Sequence, residues 1–258
     1  MDPFVTSLAL AAAGGAVIGL LLSVFGGGGS VLATPLLIYV VGIEDTHVAI
    51  GTSAAAVAVN ALIGLATQAR AGRVKWPCAL VFGGAGLAGS LVGAHLAKLV
   101  DGGQLLLWFA AAMGLVGVSM LLPRKSQGDP TVHLDVARTL KLAPLGLIVG
   151  LAAGFFGIGG GFLIVPGLMA ATGMTLANAA ASSLVSVVLF GGATSASYAA
   201  SGLINWPVFL CLVAGGGIGA LAGGPIAQRL ASQADIARRA FAIMVLLTAA
   251  YVAFRTLT

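Results

Sequence analysis

The sequence predicts an all-α polytopic membrane protein made of two inverted-topology repeats. Three observations carry that prediction. The 258 residues are 59% hydrophobic and 7% charged, with a mean hydropathy of +1.10. Soluble domains carry about 25% charged residues, so a water-facing surface cannot be assembled here and lipid must solvate most of the chain. Long apolar segments are interrupted by glycine runs, and the interrupted pattern occurs twice.

The duplication rests on three motifs in conserved order. Phe25-Gly-Gly-Gly-Gly-Ser-Val-Leu-Ala-Thr-Pro35 matches Phe156-Gly-Ile-Gly-Gly-Gly-Phe-Leu-Ile-Val-Pro166. Gly51-Thr-Ser53 matches Ala181-Ser-Ser183, and Gly72-Arg-Val-Lys-Trp-Pro77 matches Gly202-Leu-Ile-Asn-Trp-Pro207. The displacement is 131 residues at the first pair and 130 at the others. The chain therefore divides into a first transmembrane repeat (1–122), a polar cytoplasmic linker (123–141) and a second repeat (142–258).

Each repeat holds five apolar segments, at 4–25, 31–41, 47–68, 76–97 and 104–122, then at 142–157, 162–172, 177–199, 206–227 and 237–257. The first opens with Asp2 and no basic residues and is too long for a signal-peptide core, so it reads as a retained helix. The second segment of each repeat, as helix, covers about 16 Å, against a hydrocarbon core of about 30 Å. Following a Gly-rich loop, it reads as a half-helix of a broken or re-entrant element. Each repeat thus has about four long helices and one short one.

An odd segment count turns the second repeat upside down relative to the first. The basic residues support this independently. With both termini outside, ten of the 12 Lys and Arg fall in cytoplasmic loops: Arg70, Arg73, Lys75, Arg124, Lys125, Arg138, Lys141, Arg229, Arg238 and Arg239. Lys98 and Arg255 fall outside. Cytoplasmic loops carry the basic excess in membrane proteins. The net charge of +5 is thereby assigned to orientation, and no nucleic-acid partner is expected. Cys78 and Cys211 lie in apolar runs without ligand-type neighbours, which predicts no disulfide, metal site or cofactor.

Most of the 39 glycines read as packing residues that let helices approach closely, as at Gly86, Gly89 and Gly93. The two runs that precede the short segments read differently. Unpartnered amides at a helix start carry partial positive charge and bind anions without Lys or Arg. Broken backbone at membrane depth is tolerated where protein buries it or where it lines a cavity. Gly27, Gly28, Gly29 and Ser30, with Gly159, Gly160 and Gly161, are therefore candidate substrate-binding residues for a small anion. Thr52, Ser53, Ser182 and Ser183 join them as hydroxyl donors, weighed against back-bonding within their helices. Asn60, Gln68 and Tyr198 are candidate pathway-lining residues; the last two lie near segment ends, where an interface position is equally expected. Trp76-Pro77 and Trp206-Pro207 read as interface anchors at helix starts, and His95 reads as an interface residue. No span carries the nucleophile and base of an intramembrane enzyme, and no mid-span carboxylate marks proton coupling.

The glycine run ending in Pro, the Gly-Thr-Ser that follows and the Gly-x-Val-x-Trp-Pro element resemble the TauE/SafE sulfite exporter family. The likeness covers nearly the whole chain in both halves, with Ala181-Ser-Ser183 departing from Gly-Thr-Ser. It implies an inner-membrane transporter of sulfite, a sulfonate such as sulfoacetate or a related small anion; with inverted repeats, the architecture of many secondary transporters, the chain reads as a secondary transporter exporting sulfite or an organosulfonate, with membrane lipid and that small anion as its partners. An uncoupled channel or facilitator for another small oxyanion or carboxylate is the alternative. Neither motifs nor resemblance specify an oligomer.

Overall fold

The computed structural model describes residues 3–121, 128–129, 131–157, 161–231 and 233–257. These are almost entirely helical. Helix α1 (Pro3–Phe25) runs into a 3-10 helix (Gly26–Leu32), the short α2 (Ala33–Leu36) and a π-turn (Leu37–Val41). There follow α3 (Thr46–Arg70), α4 (Trp76–Ala97), α5 (Gly102–Leu121), α6 (Val136–Phe156), α7 (Gly161–Thr172), α8 (Leu176–Ala200), α9 (Trp206–Ala231) and α10 (Ala234–Leu257). Eight helical segments among the described residues are long and apolar enough to cross a membrane, and α7 is shorter. The chain is a polytopic helical membrane protein.

Local chemistry sets the helix starts. The Asp45 carboxylate accepts the amide of His47 at 2.7 Å and caps α3, and the Thr175 hydroxyl caps α8 at the equivalent point. Pro77 occupies the first turn of α4, where a missing N–H costs nothing. Helix α6 begins six residues ahead of the expected Leu142, inside the stretch read as linker. Asp135 accepts the amide of Arg138 at 2.6 Å and starts the helix in polar sequence that an apolar window does not include.

Glycine determines how the helices meet. Helices α4 and α6 run parallel with backbones in contact: a Cβ on Gly86 would meet the Gly146 carbonyl, and one on Gly154 the Ser90 carbonyl. Gly89 and Gly93 lie equally close to Leu147 and Leu151, as their spacing predicts. Helices α1 and α9 repeat the arrangement, with Gly15 and Gly19 against Leu212 and Gly216. Each half's first helix thus packs on the other half's fourth. The central pair, α3 and α8, runs antiparallel: Gly51 faces Tyr198, Gly191 faces Ala54 and Ala58, and Gly64 faces Leu184. Helices α5 and α10 pair beside this core and share a separate apolar cluster around Phe109, Met113, Phe241 and Val245.

The first glycine run differs from the expected loop. Gly26 has φ +62°, a conformation that glycine adopts without strain, and it ends α1; Gly157 with φ +65° ends α6 in the same way. Past Gly26 the chain winds at once into 3-10 helix, because its amides are buried and must find partners within the protein. In the second half, Gly159 and Gly160 lie outside the described residues.

Candidate functional site: the crossing of the glycine breaks

The two breaks touch. A Cβ on Gly161 would fall on the carbonyl oxygen of Gly27, and one on Gly27 would come within 2.8 Å of the Gly161 α-carbon. Around this point the halves make equivalent contacts: Gly26 closes on the backbone of Ala180, and Gly157 closes on Ile50. Only residues without side chains allow two main chains to cross this closely in the middle of a helical core.

The polar groups at the crossing are hydroxyls and amides. The Gly27 amide donates to the Ser183 hydroxyl oxygen at 2.9 Å, and that hydroxyl donates to the Ala180 carbonyl at 2.7 Å. Ser30 donates to the Gly27 carbonyl at 2.7 Å. Gly27, Gly28, Gly29 and Ser30 are all buried. Ser53 donates to the Ile50 carbonyl at 3.0 Å and lies 2.8 Å from the Thr34 hydroxyl. No residue from Pro3 to Ile43 or from Leu142 to Gln228 is charged, so both breaks lie in charge-free stretches of chain.

Aromatic rings cover the crossing, each contributed by the opposite half. Phe25, just before the first break, packs on Phe241 of α10 with centroids 5.6 Å apart, and the Phe241 ring lies over Gly28. Phe156, just before the second, packs on Phe109 of α5 at 5.8 Å, and Phe109 also meets Phe162 edge-on at 5.7 Å.

Thr52 and Ser182 are not brought to the crossing. The Thr52 hydroxyl accepts the Asn205 amide, and the Ser182 hydroxyl accepts the Lys75 amide, both at 2.9 Å. Each ties the loop before α9 or α4 to a central helix, and the two contacts are equivalent under the repeat.

Comparison with known proteins adds to this geometry. The family model for the sulfite exporter TauE/SafE matches residues 11–252. The chain belongs to the TauE/SafE family. It is 42% identical over 253 residues to a probable membrane transporter protein of Xylella fastidiosa (strain Temecula1), covering 98% of this chain and 97% of the relative. It is 28% identical over 237 residues to the probable membrane transporter protein YunE of Bacillus subtilis (strain 168), covering 84% and 87%. No solved structure matches it. As a TauE/SafE protein the chain is a membrane transporter.

In this TauE/SafE transporter the remaining polar candidates are internal. Asn60 donates to the Leu212 carbonyl at 3.2 Å. Gln68 donates to the Ser23 carbonyl at 3.0 Å and accepts from Arg73 at 3.2 Å. Tyr198 is fully buried, with the His47 ring 6.3 Å away and the Lys98 ammonium 5.8 Å from its centroid. Gln68 and Tyr198 are thus buried within the protein, each in the last turn of its helix. Trp76 and Trp206 are exposed at helix starts, and His95 is exposed near the end of α4. Thr34 is a member of the crossing that sequence reasoning did not single out. Its repeat counterpart is Val165, so a search for paired hydroxyls passes over it.

Proposed function

We propose that this transporter exports sulfite or an organosulfonate such as sulfoacetate across a bacterial inner membrane by alternating access, holding the anion where the two breaks cross. The groups that hold it are the amides of Gly27 and Gly161, at the starts of the two helical turns after the breaks, and the hydroxyls of Ser53 and Ser183; Gly28, Gly29 and Ser30 pair their amides within the 3-10 helix and shape the cage, and Thr52 and Ser182 brace the loops beside it. One observation carries this reading: the Ser183 hydroxyl sits on the Gly27 amide at the contact with Gly161, within charge-free chain. An arriving oxyanion takes that N–H, and the Ser183 proton turns from the Ala180 carbonyl to the anion. Amides at helix starts supply partial positive charge, and a neutral cage avoids burying Lys or Arg in the membrane.

The inverted arrangement of repeats 1–122 and 142–258 about the linker 123–141 belongs to the same reading. It is supported by the antiparallel α3 and α8 and by the exchanged contacts of α1 with α9 and α6 with α4. The distribution of Lys and Arg supports an orientation with both termini outside. Substrates of inverted-repeat transporters bind near the midplane, where broken helices of the two halves meet.

An uncoupled facilitator is the second reading. It is favoured by the seven acidic residues, Asp2, Glu44, Asp45, Asp101, Asp129, Asp135 and Asp235, none of which lies in the middle of a span. Purified protein in liposomes tests both. Labelled sulfite or sulfoacetate is expected to move, in competition with each other and not with simple carboxylates. Dependence of that flux on an imposed proton or sodium gradient identifies a coupled carrier, and indifference to both identifies a facilitator. Movement of carboxylates alone contradicts the sulfur-anion assignment.

A further inference from the structure

We propose that the anion's route from the crossing follows the buried face of α8, over the hydroxyls of Ser186, Thr194 and Tyr198, to the end of the helix beside Lys98. This rests on the anion reading above. All three residues are fully buried, and none of their hydroxyls has a hydrogen-bond partner. At about 100° per residue, Ser183, Ser186, Thr194 and Tyr198 share one face of the helix. The line begins at Ser183, which holds the Gly27 amide, and ends where the Lys98 ammonium donates to the Ser197 and Ser201 hydroxyls at 3.0 and 3.1 Å.

The usual position of a serine or threonine hydroxyl inside a helix is on a carbonyl of the preceding turn. Ser183 and Ser195 on this same helix bond in that way, as do Ser53, Ser90 and Thr172 elsewhere. Buried polar groups without partners are rare in folded proteins, and three on one helix face call for a partner that comes and goes. Duplication does not account for them. The counterparts on α3 are Ala56, Gly64 and Gln68, of which the last is bonded through both its nitrogen and its oxygen. Small residues of the neighbouring helix border the line: a Cβ on Gly83 would come within 3.4 Å of the Ser186 hydroxyl. Phe190 lies on the same face between Ser186 and Thr194, its ring seated against Gly86, and closes the line in this state. An oxyanion passing Phe190 finds donors at intervals and meets a cation at the exit.

Two measurements test the route. Thr194→Val and Tyr198→Phe remove an orphan hydroxyl with little change of shape. Both are expected to keep or raise the melting temperature and to lower sulfite flux in liposomes at least tenfold, while Thr194→Ser keeps the flux. Wild-type flux in Thr194→Val and Tyr198→Phe overturns the proposal. Independently of substrate, Thr194→Cys in a chain carrying Cys78→Ala and Cys211→Ala is expected to react with a water-soluble methanethiosulfonate, and Leu184→Cys, buried off this face, is not. A Thr194→Cys chain that labels no faster than Leu184→Cys also overturns it. Should the wild type move no sulfur oxyanion, the assignment of substrate fails while the labelling still decides the route.

Discussion

Gly161→Ala is expected to abolish transport and to destabilise the fold by about 3 kcal/mol, the upper end of what overpacking a core usually costs. The added methyl would occupy the position of the Gly27 carbonyl oxygen. Backbone, unlike the end of a flexible side chain, cannot turn aside, so the two breaks must separate. The Ser183 bond to the Gly27 amide and the ring contacts around Phe109 and Phe162 lie within a turn of the displaced residues. Gly114→Ala on α5 is the matching control, because a Cβ there meets nothing within 4 Å. It is expected to be neutral or to stabilise by about 0.5–1 kcal/mol, the ordinary gain of Ala over Gly in a helix. Thermal unfolding of the purified variants in detergent measures the difference.

Thr52→Ala and Ser182→Ala are each expected to cost about 1–3 kcal/mol, since each leaves an amide, Asn205 or Lys75, without its acceptor. The amides are only part-buried, which places the cost toward the lower figure. The two sites hold different loops and share no partner, so the double variant should show the sum of the single effects. Thr52→Ser retains the acceptor and is expected to stay close to wild type. Melting temperatures of the wild type and the four variants check this. Equal stability of wild type and double variant would remove the bracing role and return both hydroxyls to direct contact with substrate.

Much of the architecture is legible in the sequence. Low charge and high hydropathy specify the solvent, and the duplicated motifs specify the equivalence of the halves. The spacing of Gly86, Gly89 and Gly93 anticipates a helix seam that the contact with α6 realises. Other features depend on long-range contacts that periodicity does not encode. The run Gly26 to Ser30 reads as a loop in isolation and is helical because burial forces its amides to pair. The start of α6 is hidden in polar sequence, where the Asp135 cap and not apolar content decides the boundary.

The candidate site was legible as a list of residues more than as a constellation. The glycines and Ser183 meet, whereas Thr52 and Ser182 lie away from them and hold loops. The repeat was a guide and also a filter: it selected paired hydroxyls and so passed over Thr34, whose counterpart is Val165. It passed over Ser186 and Thr194 for the same reason. The covering of each break by a ring from the other half, Phe241 on the first and Phe109 on the second, follows from the interleaving of the halves, which has no local signature.

Ser183 decides whether the crossing itself holds the anion. Its hydroxyl lies on the Gly27 amide at the meeting point of both breaks and adds no charge. Labelled sulfite uptake into liposomes, compared between wild type and Ser183→Ala at equal amounts of folded protein, tests it most directly. Rapid uptake is expected of the wild type and a fall of at least tenfold in the variant, with Ser183→Thr close to wild type. Uptake by a folded Ser183→Ala protein at the wild-type rate would contradict it and move the substrate away from the breaks.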